Sequence, residues 1–218
     1  MSDIATTEAH VHHHAHHFAS ADDEFEAAKQ GMWVFMVTEV LMFGGLFVAY
    51  AIFRGLYPEM FHEAHEHLSV PMGMLNTIVL ILSSISMAYA VSSTQRGRRK
   101  RAIRSLMVTI VLACCFLVVK YFEYSHKFHD GLLPGAHFTN TEIKAPKADL
   151  FFSLYFMMTG LHGIHILIGI GLISWLIWRS RRGDFSPGYY TPVELVGFYW
   201  HFVDLVWIYL FPLLYLVG

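Results

Sequence analysis

"GFYWHFVDLVWIYL", Gly197 to Leu210, places one histidine and one carboxylate three residues apart in a run whose other residues all suit hydrocarbon. Extended to residues 193–216, the run reaches the roughly 20 helical residues that a bilayer core takes. Four more apolar stretches of spanning length precede it, at about 31–53, 73–94, 105–124 and 149–178. Inside a bilayer every backbone group must be bonded within its own segment, so helices are the expected form. The fold class is therefore all-α: a polytopic membrane protein built as a bundle of five transmembrane helices.

The composition agrees with this reading. The 218 residues are 55% hydrophobic and 16% aromatic, and only 15% are charged. A soluble domain would carry about a quarter charged residues. The first apolar segment is not a cleavable signal. It starts too late, is too long, and follows an acidic, histidine-laden leader instead of a basic one.

"RGRRKRAIR" (Arg96 to Arg104) joins the second and third segments, and "RSRR" (Arg179 to Arg182) follows the fourth. If all five segments span, both fall on one side, which the positive-inside rule makes the cytoplasm. The N-terminus is then on the cytoplasmic side and the C-terminus on the opposite, periplasmic side. Between two spans the first basic run is a topology signal, and a net charge of −2 gives no sign of a nucleic-acid partner. Cys114 and Cys115 are adjacent on one helix and point about 100° apart, so they do not bridge each other. They read as small packing residues.

Residues 1–30 form a His-rich, acidic leader, read as mostly disordered, ahead of one transmembrane domain at 31–218. His12, His13, His14, His16 and His17 bind nickel or zinc opportunistically; no native metal site is assigned to them. Ser20 with Asp22, Asp23 and Glu24 has the form of a helix cap and an acidic first turn, so a short surface helix is expected before the first span. "HEAHEH" (His62 to His67) falls short of the zinc-protease pattern, because Glu66 stands four residues after His62 where a second histidine is needed. It reads as a solvated loop. Pro71 suits the entrance of the second span.

Ionisable groups in hydrocarbon are costly and mark internal contacts or cavities. The spans contribute Glu39; Lys120 and Glu123; His162 and His165; and His201 with Asp204, while Glu194 sits at the entrance of the last helix. At about 1.5 Å per residue, Glu39 and His201 lie about 12 Å from the cytoplasmic end, Asp204 about 16 Å and His165 about 20 Å. These four can meet at similar depth. Lys120 and Glu123, three apart near the outer end, can pair locally.

Three readings compete. Haem ligation would pair His162 or His165 with His201, but a spacing of three does not serve two stacked haems. A proton relay uses the right groups, yet no series of them crosses the full thickness. The third is an interhelical polar network, in which His201 and Asp204 pair with each other and with other helices. Gly160, Gly163, Gly169 and Gly171 would let backbones approach, and Trp200 and Trp207 would pack around the pair. We carry the third forward.

Four motifs then carry a resemblance. "TGLHGIHILIG" (Thr159 to Gly169) and "GFYWHFVDLVWIYL" are similar to the two signature stretches of subunit III of the haem-copper respiratory oxidases. "TEVLMFGGLFVAY" (Thr38 to Tyr50) resembles that family's glutamate-bearing helix, and "KYFEYS" (Lys120 to Ser125) also matches. The match runs from about Gly31 to the C-terminus and takes in Glu194.

The resemblance implies a bundle that packs on catalytic subunit I, with subunit II, small subunits and a larger supercomplex as further partners. It implies no cofactor bound by this chain, phospholipid held in a cleft, and haem and copper in the partner subunits. Glu39, His162, His165, Glu194, His201, Asp204 and Trp207 would be structural, lipid-cleft or interface residues of a non-catalytic subunit that supports proton uptake by subunit I. Mitochondrial-type members have two further N-terminal helices, which form one wall of the lipid cleft. Cytochrome c is the expected electron donor of the complex. A quinol oxidase, the related nitric oxide reductase accessory protein and, in a different class, a proton-coupled transporter stay open.

Overall fold

A computed structural model describes residues 20–134, 138, 143 and 147–216. The histidine tract from His12 to His17 lies outside the described residues. Six helices follow in order: α1 (Ala21–Leu56), α2 (Pro58–His65), α3 (Val70–Gln95), α4 (Arg99–His129), α5 (Ala148–Arg182) and α6 (Thr191–Tyr215). All except α2 are long and apolar enough to cross a membrane. The all-helical, five-span architecture is the one expected.

Ser20 caps α1, its hydroxyl accepting the Asp23 N–H at 3.1 Å. The expected short surface helix is instead the first part of α1, which runs on for 36 residues without a break. Ala27, Ala28, Lys29 and Gln30 are strong helix formers, and a single glycine at Gly31 does not end such a run. Residues 21–30 thus belong to the helix, and the rest of the expected leader lies outside the described residues. At about 1.5 Å per residue α1 extends about 54 Å, well past a hydrocarbon layer of about 30 Å. Proline occupies the first turn of α3 and of α6, where its missing N–H costs nothing.

Helices α3 to α6 close a four-membered ring, α3 and α5 each packing against both α4 and α6. Trp200, Trp207, Phe116 and Tyr155 fill its centre. Helix α1 leans on α5 and α6 from outside the ring. Only 6% of its apolar span is buried within the chain, against 56% for α6. Trp33, Val37, Leu41, Val48 and Ile52 therefore face hydrocarbon or a neighbouring subunit.

Both arginine-rich turns meet at one end, the basic end. A Cβ placed on Gly183 would lie 3.3 Å from the Arg99 guanidinium, and one on Gly97 3.4 Å from Pro187. Gly97 (φ 68°) and Gly183 (φ 92°) adopt the left-handed conformation that turns the chain there.

Two expectations are corrected. The stretch around "HEAHEH" is not a solvated loop: α2 buries Met60, Phe61 and Ala64, and Leu68 follows them inward. These residues recur at helical spacing on one face, which is why the segment folds back as a cap over the far end. Cys114 and Cys115 are not packing residues either. Both are exposed on the outer face of α4, because the buried stripe of that helix runs through Ala113 and Phe116.

Candidate functional site

Three clusters of polar side chains lie within the spans, each joining different helices. The first links α1 to α5. Glu39 Oε2 lies 3.0 Å from His165 Nε2, and His165 Nδ1 lies 2.8 Å from the Leu161 carbonyl. A carbonyl only accepts, so Nδ1 carries its proton, and Nε2 and the carboxyl share a single proton between them. Tyr199 of α6 donates to the His165 carbonyl at 2.9 Å, and the edge of Phe43 closes the site at 5.3 Å.

The second cluster is the α3–α6 seam. Ser84 Oγ bonds His201 Nδ1 at 2.7 Å. Trp200 Nε1 donates to Ser83 at 2.9 Å and Trp207 Nε1 to Thr77 at 3.1 Å. The expected His201–Asp204 pair does not form. The imidazole reaches across to α3, and neither carboxyl oxygen of the buried Asp204 meets a hydrogen-bond partner among the described residues. Ser84 lies within interaction range of that carboxyl, but its bond goes to His201.

The third cluster sits toward the far end. Lys120 Nζ is 3.0 Å from Glu123 Oε2. Tyr155 and Tyr215 donate to Glu123 Oε1 at 2.8 and 2.5 Å. Lys120 donates to both hydroxyls, at 3.2 and 2.8 Å. The lysine also stands 4.7 Å from the Trp207 ring centre. Nearby, Lys127 donates to the His67 carbonyl at 3.3 Å, and His65 Nε2 lies 2.8 Å from the Tyr215 carbonyl. The far-end cap and the end of α6 are thus held to the same cluster.

The four groups expected at one depth do not form one site. Tyr199 and Phe202 face α1 and α5, whereas His201 faces α3, because neighbours along α6 turn about 100° per residue. His165 and His201 accordingly belong to different seams, and no haem-ligating pair is assembled from them. His162 is fully buried between Phe116 at 5.6 Å and Trp207 at 5.3 Å, with neither ring nitrogen hydrogen-bonded among the described residues. Glu194 lies in the first turn of α6, one of its oxygens buried without a partner among the described residues.

Of the four glycines expected to admit close approach, Gly169 alone does so tightly. A Cβ there would lie 2.6 Å from the Trp200 ring, whereas Gly163 and Gly171 meet nothing within 4 Å and Gly160 only Tyr124 at 4.0 Å. Sequence reasoning missed Ser83, Ser84, Thr77, Tyr155 and Tyr215. Their hydroxyls carry no distinguishing local pattern and gain meaning only from the helix opposite. Among the described residues, no group of three His, Cys, Asp or Glu side chains is placed to hold a metal ion.

Residues 2–218 match the model of the family described as cytochrome c oxidase subunit III. The chain belongs to the cytochrome c oxidase subunit III family. It is similar to cytochrome c oxidase subunit 3 of Thermostichus vulcanus, 36% identical over 189 residues that cover 86% of each chain. The same-named protein of Synechocystis sp. is 32% identical over 217 residues, covering 99% of this chain and 84% of the relative. Subunit 3 of cytochrome bo(3) ubiquinol oxidase from Pseudomonas putida is 25% identical, covering 90% and 88%. A member of the subunit III family is one component of a multi-subunit haem-copper oxidase, so this chain is a multi-pass membrane subunit of an oxidoreductase complex.

Proposed function

We propose that the chain is a non-catalytic subunit of a bacterial proton-pumping terminal oxidase, with cytochrome c as the electron donor of the complex. It stabilises catalytic subunit I, holds phospholipid and supports proton uptake into its neighbour. The basic end faces the cytoplasm of an inner-membrane complex, in keeping with the positive-inside rule.

The observation that carries this reading is the use made of the ionisable groups. Glu39 with His165 and Lys120 with Glu123 are consumed in bonds within the bundle, and His201 is tied to Ser84. The bonds from Glu39 to His165, from His201 to Ser84, and from Lys120 and Glu123 to Tyr155 and Tyr215 fix helix register where lipid supplies no hydrophobic drive between helices. They are fasteners of a scaffold whose outer face is apolar.

The test is Glu39→Ala in the native complex, which removes the bond between α1 and α5. Assembly yield or active lifetime of the oxidase should fall while its metal spectra stay unchanged; altered initial haem or copper chemistry at normal assembly counts against the reading. The ubiquinol oxidase relative supplies the second reading, quinol as the donor. A mild-detergent pull-down from native membranes separates the two, since the co-purifying chains identify the oxidase. A transporter would instead move protons in proteoliposomes of the chain alone.

A further inference from the structure

Helices α1 and α3 both pack on α6. Between those two neighbours the outer side of α6 presents Phe198, Leu205 and Ile208, 43%, 50% and 47% exposed, with His201 half-buried among them. These positions recur at steps of three and four and so form one helical stripe. On the α3 side the stripe is bordered by Ser84, which is bonded to His201. On the α1 side a hollow of about 70 Å³ opens beside Met32, Trp33, Met36 and Phe198. The stripe is thus the floor of a trough whose two sides are α1 and α3.

His201 sets this trough apart from the other apolar faces. Its Nδ1 is engaged by Ser84 at 2.7 Å, whereas Nε2 makes no hydrogen bond among the described residues and is not sealed inside the bundle. Glu39, His165, Lys120 and Glu123 are bonded within the bundle, and His162 and Asp204 are shut inside it. At about 12 Å from the cytoplasmic end, Nε2 stands in the hydrocarbon layer, where acyl chains offer no hydrogen bond. Such groups are costly there unless they face protein or a water-filled cavity. The outer face of α4 makes the contrast. Val108, Val111 and Val118 are exposed there with no charged or imidazole side chain between them, so acyl chains suit it.

We propose that the trough seats a transmembrane helix of a neighbouring oxidase subunit, and that a polar side chain of that helix, a carboxyl, hydroxyl or amide, hydrogen-bonds His201 Nε2. The apolar stripe supplies packing, and the single polar contact fixes the register of the two helices. Ser84 is a positioning residue: it holds the ring through Nδ1 and so aims Nε2 outward. The inference rests on the chain being one subunit of an assembled oxidase, and it does not depend on which electron donor the complex uses.

The experiment uses native membranes carrying the assembled oxidase, with photoreactive benzoylphenylalanine replacing Leu205. Irradiation should join that position to a transmembrane helix of another subunit, and peptide mapping should find a polar side chain within one turn of the joined residue. Adducts with acyl chains alone overturn the proposal, as does a product that joins two copies of this chain. His201→Leu and Ser84→Ala lose the same internal bond, so the purified subunit should melt alike in both. On detergent titration of the complex, His201→Leu should release the chain about 3- to 15-fold more readily than Ser84→Ala. His201→Gln, which keeps a hydrogen-bonding group, should restore much of the retention. Equal release of His201→Leu and Ser84→Ala overturns the proposal. A chain that still co-purifies with the oxidase in that case keeps its accessory role and loses only this surface.

Discussion

Glu39 and His165, 126 residues apart in sequence, share one proton across a 3.0 Å contact that ties α1 to the rest of the bundle. This bond acts beside the Tyr50 hydroxyl, which donates to the Leu213 carbonyl of α6 at 2.6 Å, on a helix whose apolar face is otherwise mostly exposed. Glu39→Ala should remove up to about 1.7 kcal/mol, the upper range for a hydrogen bond between membrane helices. Faster hydrogen exchange along α1 and an earlier thermal inactivation of the complex are the expected readouts. Glu39→Gln keeps a donor and an acceptor and should fall between the two. If Glu39→Ala exchanges like wild type, the bond is not what holds α1.

Lys120 and Glu123 form a buried pair with both carboxyl oxygens engaged. Removing one partner of such a pair costs about 3–5 kcal/mol, because the other charge is left without compensation. Lys120→Met should therefore lower the denaturation midpoint of the complex sharply. Lys120→Met combined with Glu123→Leu should cost less than Lys120→Met alone, since the Tyr155 and Tyr215 hydroxyls, 3.2 Å apart, still bond each other. A double variant as unstable as the sum of the singles would contradict the assignment.

Gly169 separates two kinds of glycine on α5. A β-carbon there enters the Trp200 ring at 2.6 Å, and Trp200 is fully buried. Gly169→Ala should destabilise the fold by about 1–3 kcal/mol, as overpacking does. Gly163→Ala and Gly171→Ala, which meet nothing within 4 Å, should leave thermal stability of the purified subunit unchanged. Three equal midpoints would show that the α5–α6 seam is looser than the Gly169 contact demands.

Phe61 is 1% exposed, wedged edge-on between Tyr50 at 5.0 Å and Phe151 at 5.2 Å. Phe61→Ala should cost about 3–5 kcal/mol, the usual loss for a buried aromatic ring. Because α2 caps the far end, the first symptom should be protease cleavage between α1 and α3. Unchanged cleavage rates would mean that the cap is held by its backbone contacts instead.

Long apolar runs, the Ser20 cap, Pro71 and the arginine clusters are local signals, so five spans and their turns were legible in the linear chain. Helix α2 was legible in principle, through Met60, Phe61, Ala64 and Leu68 at helical spacing, but a short helix among histidines and glutamates resembles a polar loop. Ionisable groups inside the apolar runs stood out by contrast, whereas Lys127, buried just beyond the third run, did not. Their pairing was not legible. Nothing in the order of residues says that His201 chooses Ser84 over Asp204, three positions away on its own helix.

By itself, then, the sequence determined how many times the chain crosses, which turns share an end, its family, and which polar groups lie in hydrocarbon. Hydropathy and charge settle these matters segment by segment, since each membrane helix satisfies its own backbone. Only the tertiary structure decided the partners: Glu39 with His165, Ser84 with His201, and Tyr155 and Tyr215 on Glu123. Those bonds depend on the rotation and stagger of one helix against another, and a residue's facing turns by about 100° with each step.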